Sequence, residues 1–380
     1  MYNVLTLNKI SPNGTSRLGE NYNVGDAVEN PTAVLVRSAS MHDMEMPESL
    51  LAIARCGAGT NNIPKDLCAD KGIVVFNTPG ANANAVKELV LTGLFLSSRK
   101  VVEGIEWAKT LKGNGDAVGK MAEKGKGQFV GPEIMGKTLG VIGLGAIGIL
   151  VANAAVALGM KVIGYDPFLS VNNALKLDPT IKVYGNIDDV ITKSDYITIH
   201  VPLMDATRDL IDVEQIAKMK DGVRILNYSR DGLVNAQAVL DGIKSGKVAK
   251  YVTDFSTDEV LAEDGVICMP HLGASTPESE DNCAVMAADQ VKEYLENGNI
   301  VNSVNYPNLT MAKSGAVRYC VFFKPAEDIV QNITGAVKGL KAVEAKTRGA
   351  YGYAVVDSDN GDCAEAIEAV DGVIRVRVIK

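Results

Sequence analysis

The sequence predicts an α/β fold: two doubly wound, Rossmann-like domains followed by a small ferredoxin-like βαββαβ module. Three observations carry that expectation. A glycine run, Gly143-Leu144-Gly145-Ala146-Ile147-Gly148, lies between the apolar runs Thr138 to Ile142 and Lys161 to Tyr165, the second closed by Asp166. Short apolar runs alternate with helical patterns on both sides of it. In residues 315–380 the pattern changes to short strands and helices with no further glycine fingerprint.

In chain order, Ala33 to Val36, Leu51 to Ala54 and Ile73 to Phe76 have the continuous apolar character of buried parallel strands. From about Asn84 to Lys100 the residues Val86, Leu89, Val90, Gly93, Leu94 and Leu96 crowd a helix, and a second helical stretch carries Trp107. A buried helix pair there is expected to join two domains. Beyond the glycine run, Tyr196 to His200, Val223 to Asn227, Val248 to Val252 and Val266 to Met269 complete a second sheet. After the turn-rich passage 297–308 come a strand at Arg318 to Phe323, a helix at Ala326 to Leu340, strands at Ala342 to Thr347 and Tyr351 to Val356, a helix at Cys363 to Val370, and a strand at Val373 to Ile379.

Within the glycine run, Gly143 permits a tight strand-to-helix turn, Gly145 a close approach of backbone to a pyrophosphate, and Gly148 close helix packing. The pyrophosphate then meets free amides at a helix N-terminus. Asp166 would accept hydrogen bonds from ribose hydroxyls and repel a 2′-phosphate, favouring NAD over NADP.

The chain has 380 residues, 47% hydrophobic and 22% charged, ordinary for two or three domains with buried cores. A net charge of -8 argues against a nucleic-acid partner. The N-terminus lacks a basic, then apolar leader, and no apolar run is long enough to span a membrane, so the protein is read as cytoplasmic. Cys56, Cys68, Cys268, Cys283, Cys320 and Cys363 form no C-x-x-C pair and no metal-ligand spacing, which suits free thiols.

A nicotinamide enzyme needs a proton-transfer group and a cation for the substrate carboxylate. Of the three histidines, His42 lies in a polar loop and His200 ends a strand, where packing suits it. His271, in Met269-Pro270-His271-Leu272-Gly273-Ala274, follows a strand and precedes a helix, where an open α/β sheet binds ligands. Arg230 and the carboxylates of Asp254 to Glu259 occupy two more such loops. From spacing alone these charges serve equally well as structural ion pairs at strand ends.

Taken together, Gly143 to Gly148 with Asp166, Asn227 to Asn235, Asp254 to Glu259 and Pro270 to Thr276 resemble, in order and over nearly the whole chain, the D-isomer-specific 2-hydroxyacid dehydrogenases. The resemblance implies a split substrate domain, 1–97 with a return segment 285–308, around an inserted NAD domain, 98–284, with an ACT-like module at 315–380. It implies Arg230, Glu259 and His271 as catalytic residues, Glu259 being the acid paired with the histidine. NAD would be met by Thr78, Gly143, Gly145, Ala146, Ile147, Gly148, Asp166, Val201, Pro202, Tyr228, Ser229, Arg230, Asp254, His271, Gly273 and Ala274. Substrate would be met by Arg37, Arg55, Cys56, Gly57, Arg230 and His271, with no metal.

The ACT-like module tilts the implied substrate from simple hydroxy acids toward 3-phosphoglycerate, at the head of serine synthesis. A homodimer or homotetramer is implied as well. Another D-2-hydroxyacid dehydrogenase or 2-oxoacid reductase, or a non-catalytic, corepressor-like NAD-sensing binding protein, are the competing readings. Three departures from the family pattern stand out: Arg230-Asp231-Gly232 in place of Arg-Gly-Gly, Thr257-Asp258-Glu259-Val260 in place of Glu-x-Glu-Pro, and Phe323 to Asp328 without the residues of a serine site.

Overall fold

The computed structural model describes residues 1–380, which form two compact units. Unit 1 is Met1–Asn82 with Thr276–Lys380, and unit 2 is Ala83–Ser275.

Unit 1 opens with five parallel strands, β1 (Tyr2–Leu7), β2 (Tyr22–Gly25), β3 (Ala33–Val36), β4 (Ala52–Arg55) and β5 (Val74–Phe76), in the order β2-β1-β3-β4-β5. The three apolar runs become β3, β4 and β5. The first two strands escape sequence reading because their residues are mixed, and in β1 only Val4 is fully buried.

Unit 2 begins with the helix Ala83–Ser98, whose Val86, Val90 and Leu94 share one core with Leu139 and Val141. Its parallel sheet comprises β6 (Thr138–Ile142), β7 (Lys161–Tyr165), β8 (Lys182–Tyr184), β9 (Tyr196–Ile199), β10 (Val223–Asn227), β11 (Val248–Thr253) and β12 (Val266–Cys268). The order is β12-β11-β10-β9-β6-β7-β8, so the direction of winding reverses between β6 and β9, where such sheets bind ligands. The shared core moves the first boundary from 97/98 to 82/83. The second moves from 284/285 to 275/276, because Cys283, Ala287 and Val291 pack with Val4, Leu35 and Phe76 of unit 1. The expected buried helix pair is also corrected: the second helix, Val101–Lys109, buries none of its residues.

The chain returns to unit 1 as the helix Pro277–Asn297, started by Thr276, whose hydroxyl accepts from the Ser279 amide, and ended by left-handed Gly298 at φ 72°. Then come β13 (Val317–Phe323), β14 (Leu340–Arg348), β15 (Tyr351–Ser358) and β16 (Val373–Ile379), with helices Ile329–Gly335 and Ala364–Glu368 between them. The order β-α-β-β-α-β matches the sequence reading, and the antiparallel sheet runs β14-β15-β13-β16. The first of these helices is shorter than the expected Ala326 to Leu340. It starts after Asp328, itself at φ 60°, and Gly339 at φ 67° turns the chain into β14.

Residues 315–380 were expected to stand as a domain of their own, yet they cluster with unit 1. The reason is a polar clamp on the end of helix 277–297, whose last carbonyls lack helical partners and carry the negative end of the helix dipole. Arg377 donates to the carbonyls of Tyr294, at 2.8 Å, and Leu295. Arg318 donates to the Asn297 carbonyl at 2.7 Å and to both oxygens of Asp357 at 2.7 and 2.9 Å, the pair being fully buried. Around this clamp Cys320, Phe322, Tyr353 and Val355 join the core of β1, β3 and β5.

Candidate active site

The glycine turn follows β6 in unit 2, and its three glycines meet three different surroundings. Gly143 adopts φ 92°, and a Cβ there would lie 2.6 Å from the His200 carbonyl oxygen. A Cβ on Gly148 would lie 1.9 Å from the Gly143 carbonyl oxygen, so any larger residue displaces the turn. A Cβ on Gly145 would meet nothing within 4 Å. Two glycines are required by the protein's own packing, and the middle one faces open space at the start of helix Ala146–Ala157. That cradle fits a pyrophosphate on the helix N-terminus.

Asp166 ends β7 and braces the turn, its Oδ2 accepting from the Leu144 amide at 2.9 Å and its Oδ1 from the Phe168 amide at 2.8 Å. After β9, the Val201 carbonyl accepts from the Ser229 hydroxyl at 2.6 Å, tying the Val201-Pro202 loop to the one after β10. His200 is enclosed, with Nε2 2.9 Å from the Thr198 hydroxyl and Nδ1 without a partner. Burial pushes its pKa down to about 3, which keeps it neutral and supports the packing role expected of it.

The loop after β10 is shaped by Asn227, which sequence reading placed at the strand end without a role. Its amide nitrogen donates to the Arg230 carbonyl at 2.9 Å while its oxygen accepts from the Ser229 amide at 3.2 Å. An asparagine closing a strand two residues before a bend was the available signal. Arg230 is half-buried and spends one donor on the Ser229 carbonyl at 2.6 Å, leaving the rest of its fork for a ligand. Tyr228 is buried with its hydroxyl over Gly93, where a Cβ would come within 2.2 Å of it.

Asp254, just past β11, is 1% exposed. Its Oδ2 accepts from the Gly273 amide at 3.2 Å, and its Oδ1 is buried with no partner. Burial raises its pKa, against the opposing pull of His271, the Gly273 amide and Arg230. Asp254 therefore lies within electrostatic reach of both Arg230 and His271. The orphaned oxygen is a high-energy acceptor, and it suits an N–H donor such as a carboxamide.

His271 is exposed, and its ring stands edge-on to Phe255 at 4.9 Å between centroids. Ala274 follows in the same turn, which leads to helix 277–297. The Glu259–His271 pair that the resemblance implies is not made in this structure. Glu259 occupies an exposed turn that continues through Ala262 at φ 62°, and the carboxylate that feels the charge of His271 is Asp254.

The remaining expected residues lie in unit 1. Thr78 is fully buried, with its hydroxyl oxygen unpartnered. Arg37 pairs with Glu280 at 2.5 Å, and Arg55 donates from Nε to the Arg37 carbonyl at 3.1 Å. Gly57, at φ 147°, leaves room for the Arg55 guanidinium, 1.3 Å from where its Cβ would sit. Cys56 is buried, and that burial pushes its thiol up to about 12, away from nucleophilic use.

Comparison with known proteins agrees with this geometry. Residues 94–273 match the family described as D-isomer specific 2-hydroxyacid dehydrogenase, NAD binding domain. A D-3-phosphoglycerate dehydrogenase of Methanocaldococcus jannaschii is 33% identical over 329 residues, covering 84% of this chain and 60% of its own. A hydroxypyruvate reductase of Thermotoga maritima is 36% identical over 304 residues, covering 77% of this chain and 94% of its own. Among solved structures, an NAD+-bound 3-phosphoglycerate dehydrogenase of Entamoeba histolytica superposes with a TM-score of 0.60 at 23% identity, over 80% of this chain and 98% of that one. The chain spans only 50% to 60% of the length of the phosphoglycerate dehydrogenases first matched. With the Thermotoga enzyme matched almost end to end and the glycine cradle, Arg230 and His271 beyond the ends of β6, β10 and β12 of the NAD-binding unit, the chain belongs to the D-isomer specific 2-hydroxyacid dehydrogenase family.

Proposed function

We propose that the protein is an NAD-dependent dehydrogenase interconverting 3-phosphoglycerate and 3-phosphohydroxypyruvate, the first step of serine biosynthesis. The observation that carries the reading is the placement of the Gly143–Gly148 cradle, Arg230, buried Asp254 and His271 beyond the carboxyl ends of β6, β10, β11 and β12 of one parallel sheet. In the oxidative direction His271 accepts the proton of the C2 hydroxyl. Arg230 holds the carboxylate and the emerging carbonyl oxygen, and Glu259 is the acid proposed to meet the imidazolium as it forms. Gly143, Gly145, Ala146, Ile147 and Gly148 would hold the pyrophosphate of NAD, Asp166 its ribose, and Asp254 its carboxamide. When bound, NAD supplies the two-electron acceptor for the hydrogen on C2.

The phosphate end of the substrate is assigned to Arg37 and Arg55, supported by the names of several relatives. A second substrate, unphosphorylated hydroxypyruvate, is favoured by the Thermotoga relative, which this chain matches over 94% of its length. An initial-rate assay following NADH with 3-phosphoglycerate, glycerate, lactate and malate separates the readings. Absence of turnover with every D-2-hydroxy acid overturns the enzyme assignment, and turnover of glycerate without phosphoglycerate overturns the phosphate one.

The reading extends to a cytoplasmic homo-oligomer with an ACT-like C-terminal module. No helix is long and apolar enough to cross a membrane. Support for self-association comes from unit 2, where Phe95, Val101, Val102, Ile105, Val130 and Met135 are between 44% and 75% exposed. Support for the ACT-like assignment is the βαββαβ sheet itself. Light scattering tests the first: a monomer at micromolar concentration excludes it.

A further inference from the structure

Unit 1 has its own topological switch point. In the order β2-β1-β3-β4-β5 the winding reverses between β1 and β3, and ligands of such sheets gather beyond the carboxyl ends of those two strands. The residues there are Asn8, one past β1, and Arg37 to Ala39, directly past β3. Asn8 adopts φ 74°, a conformation asparagine tolerates better than other side-chain-bearing residues. Its Oδ1 accepts from three successive amides, those of Arg37 at 3.2 Å, Ser38 at 2.9 Å and Ala39 at 2.9 Å. Three backbone donors curled on one oxygen form a nest, a backbone shape that otherwise closes on anions. The side chain of Asn8 thus fixes the turn from which Arg37 projects.

The turn is held again from its far side. Asn62 donates to the Ala39 carbonyl at 2.8 Å, and Arg55 donates to the Arg37 carbonyl at 3.1 Å. The bond between Arg37 and Glu280 joins side chains 38% and 41% exposed. Exposed pairs of this kind contribute little to stability, so a dianion can draw Arg37 away from Glu280 without large cost.

We propose that Asn8 is a positioning residue, holding the Arg37 to Ala39 turn so that Arg37 and Arg55 are presented together to a phosphoryl group. The inference rests on the phosphate assignment above, and it adds a residue outside every motif of the resemblance.

The test replaces Asn8 by glycine, which keeps the positive φ without strain and removes the carboxamide whose oxygen holds the three amides. Two readouts are taken: hydrogen exchange at amides 37–39 with and without inorganic phosphate, and steady-state kinetics with 3-phosphoglycerate and with glycerate. Asn8→Gly is expected to speed exchange at those amides about tenfold. It is also expected to raise KM for 3-phosphoglycerate about tenfold, with kcat and NADH affinity unchanged and KM for glycerate unmoved. Unchanged exchange, or a KM change shared equally by both substrates, overturns the proposal. If the wild-type protein turns over neither substrate but phosphate still slows exchange at 37–39 only when Asn8 is present, Asn8 keeps its role and the reaction assigned above is what fails.

Discussion

The two parallel sheets of this protein finish their strands with different proportions of glycine and asparagine. In unit 2 the glycine turn after β6 leaves open space over Gly145, and Nδ1 of His200 after β9 and Oδ1 of Asp254 after β11 are buried without partners, while Asn227 ties the loop after β10. In unit 1 most of the corresponding loops are tied by asparagines, with Asn8 holding three amides, Asn62 the Ala39 carbonyl and Asn77 the Ala58 carbonyl, and only the Thr78 hydroxyl past β5 is left buried without a partner. Unsatisfied groups cost stability and offer contacts to a ligand, whereas satisfied loops fix the direction of a side chain. The contrast teaches that one sheet keeps room for a cofactor beside Gly145, while the other fixes the turns that carry Arg37 and Arg55.

The largest effect that would break this comparison is at His271. His271→Ala should lower kcat by about 10²–10⁴-fold while leaving NADH affinity, read by fluorescence titration, nearly unchanged. An unaltered rate would remove the acid/base role from unit 2 altogether.

Next in size is the pair Gly148→Ala and Gly145→Ala. With a Cβ 1.9 Å from the Gly143 carbonyl oxygen, Gly148→Ala should cost about 1–3 kcal/mol or more and lower the melting temperature by several degrees. Gly145→Ala, facing open space, should melt near the wild type and lose NADH affinity instead. Equal melting losses in the two variants would mean that the open space over Gly145 is not kept for a ligand.

The smallest effect sharpens the claim that unit 2 trades stability for function. Because burial raises the pKa of Asp254, the folded protein holds that proton to higher pH than the unfolded chain does. The neutral form's contribution is therefore complete below the unfolded value of about 3.9 and is lost as pH rises through the folded one. Asp254→Asn should accordingly melt a few degrees higher than wild type at pH 7, with the gap closing below about pH 4, while kcat/KM falls. A lower melting temperature at pH 7 would show that the charged carboxylate stabilises the fold.

Much of this was legible in the sequence where the signal is local. The glycine spacing, the acid closing β7 and the strand-end positions of Arg230, Asp254 and His271 follow from short-range patterns. What was not legible depends on distant partners. Helix 83–98 has apolar residues around much of its surface, and only the packing of Val86, Val90 and Leu94 against Leu139 and Val141 assigns it to unit 2. Arg377 lies in a strand where alternation suggests a solvated face and Arg318 in an apolar one, yet both are buried against carbonyls that lie more than twenty residues back. Glu259 was named by motif position, and the turn carrying it leaves it in water.

The divided core of unit 1 has a consequence for how the protein is made. Val4, Leu35 and Phe76 share their core with Ala287, Val291 and Tyr294, so β1 to β5 leave the ribosome roughly 200 residues before the helix that completes them, a wait of about 10–40 s at ordinary translation speeds. During that interval the intervening 83–275 segment can fold as a closed unit, while the first sheet still exposes an apolar face. Nascent-chain aggregation and chaperone demand should therefore concentrate in the first 82 residues, and should end when the helix 277–297 emerges.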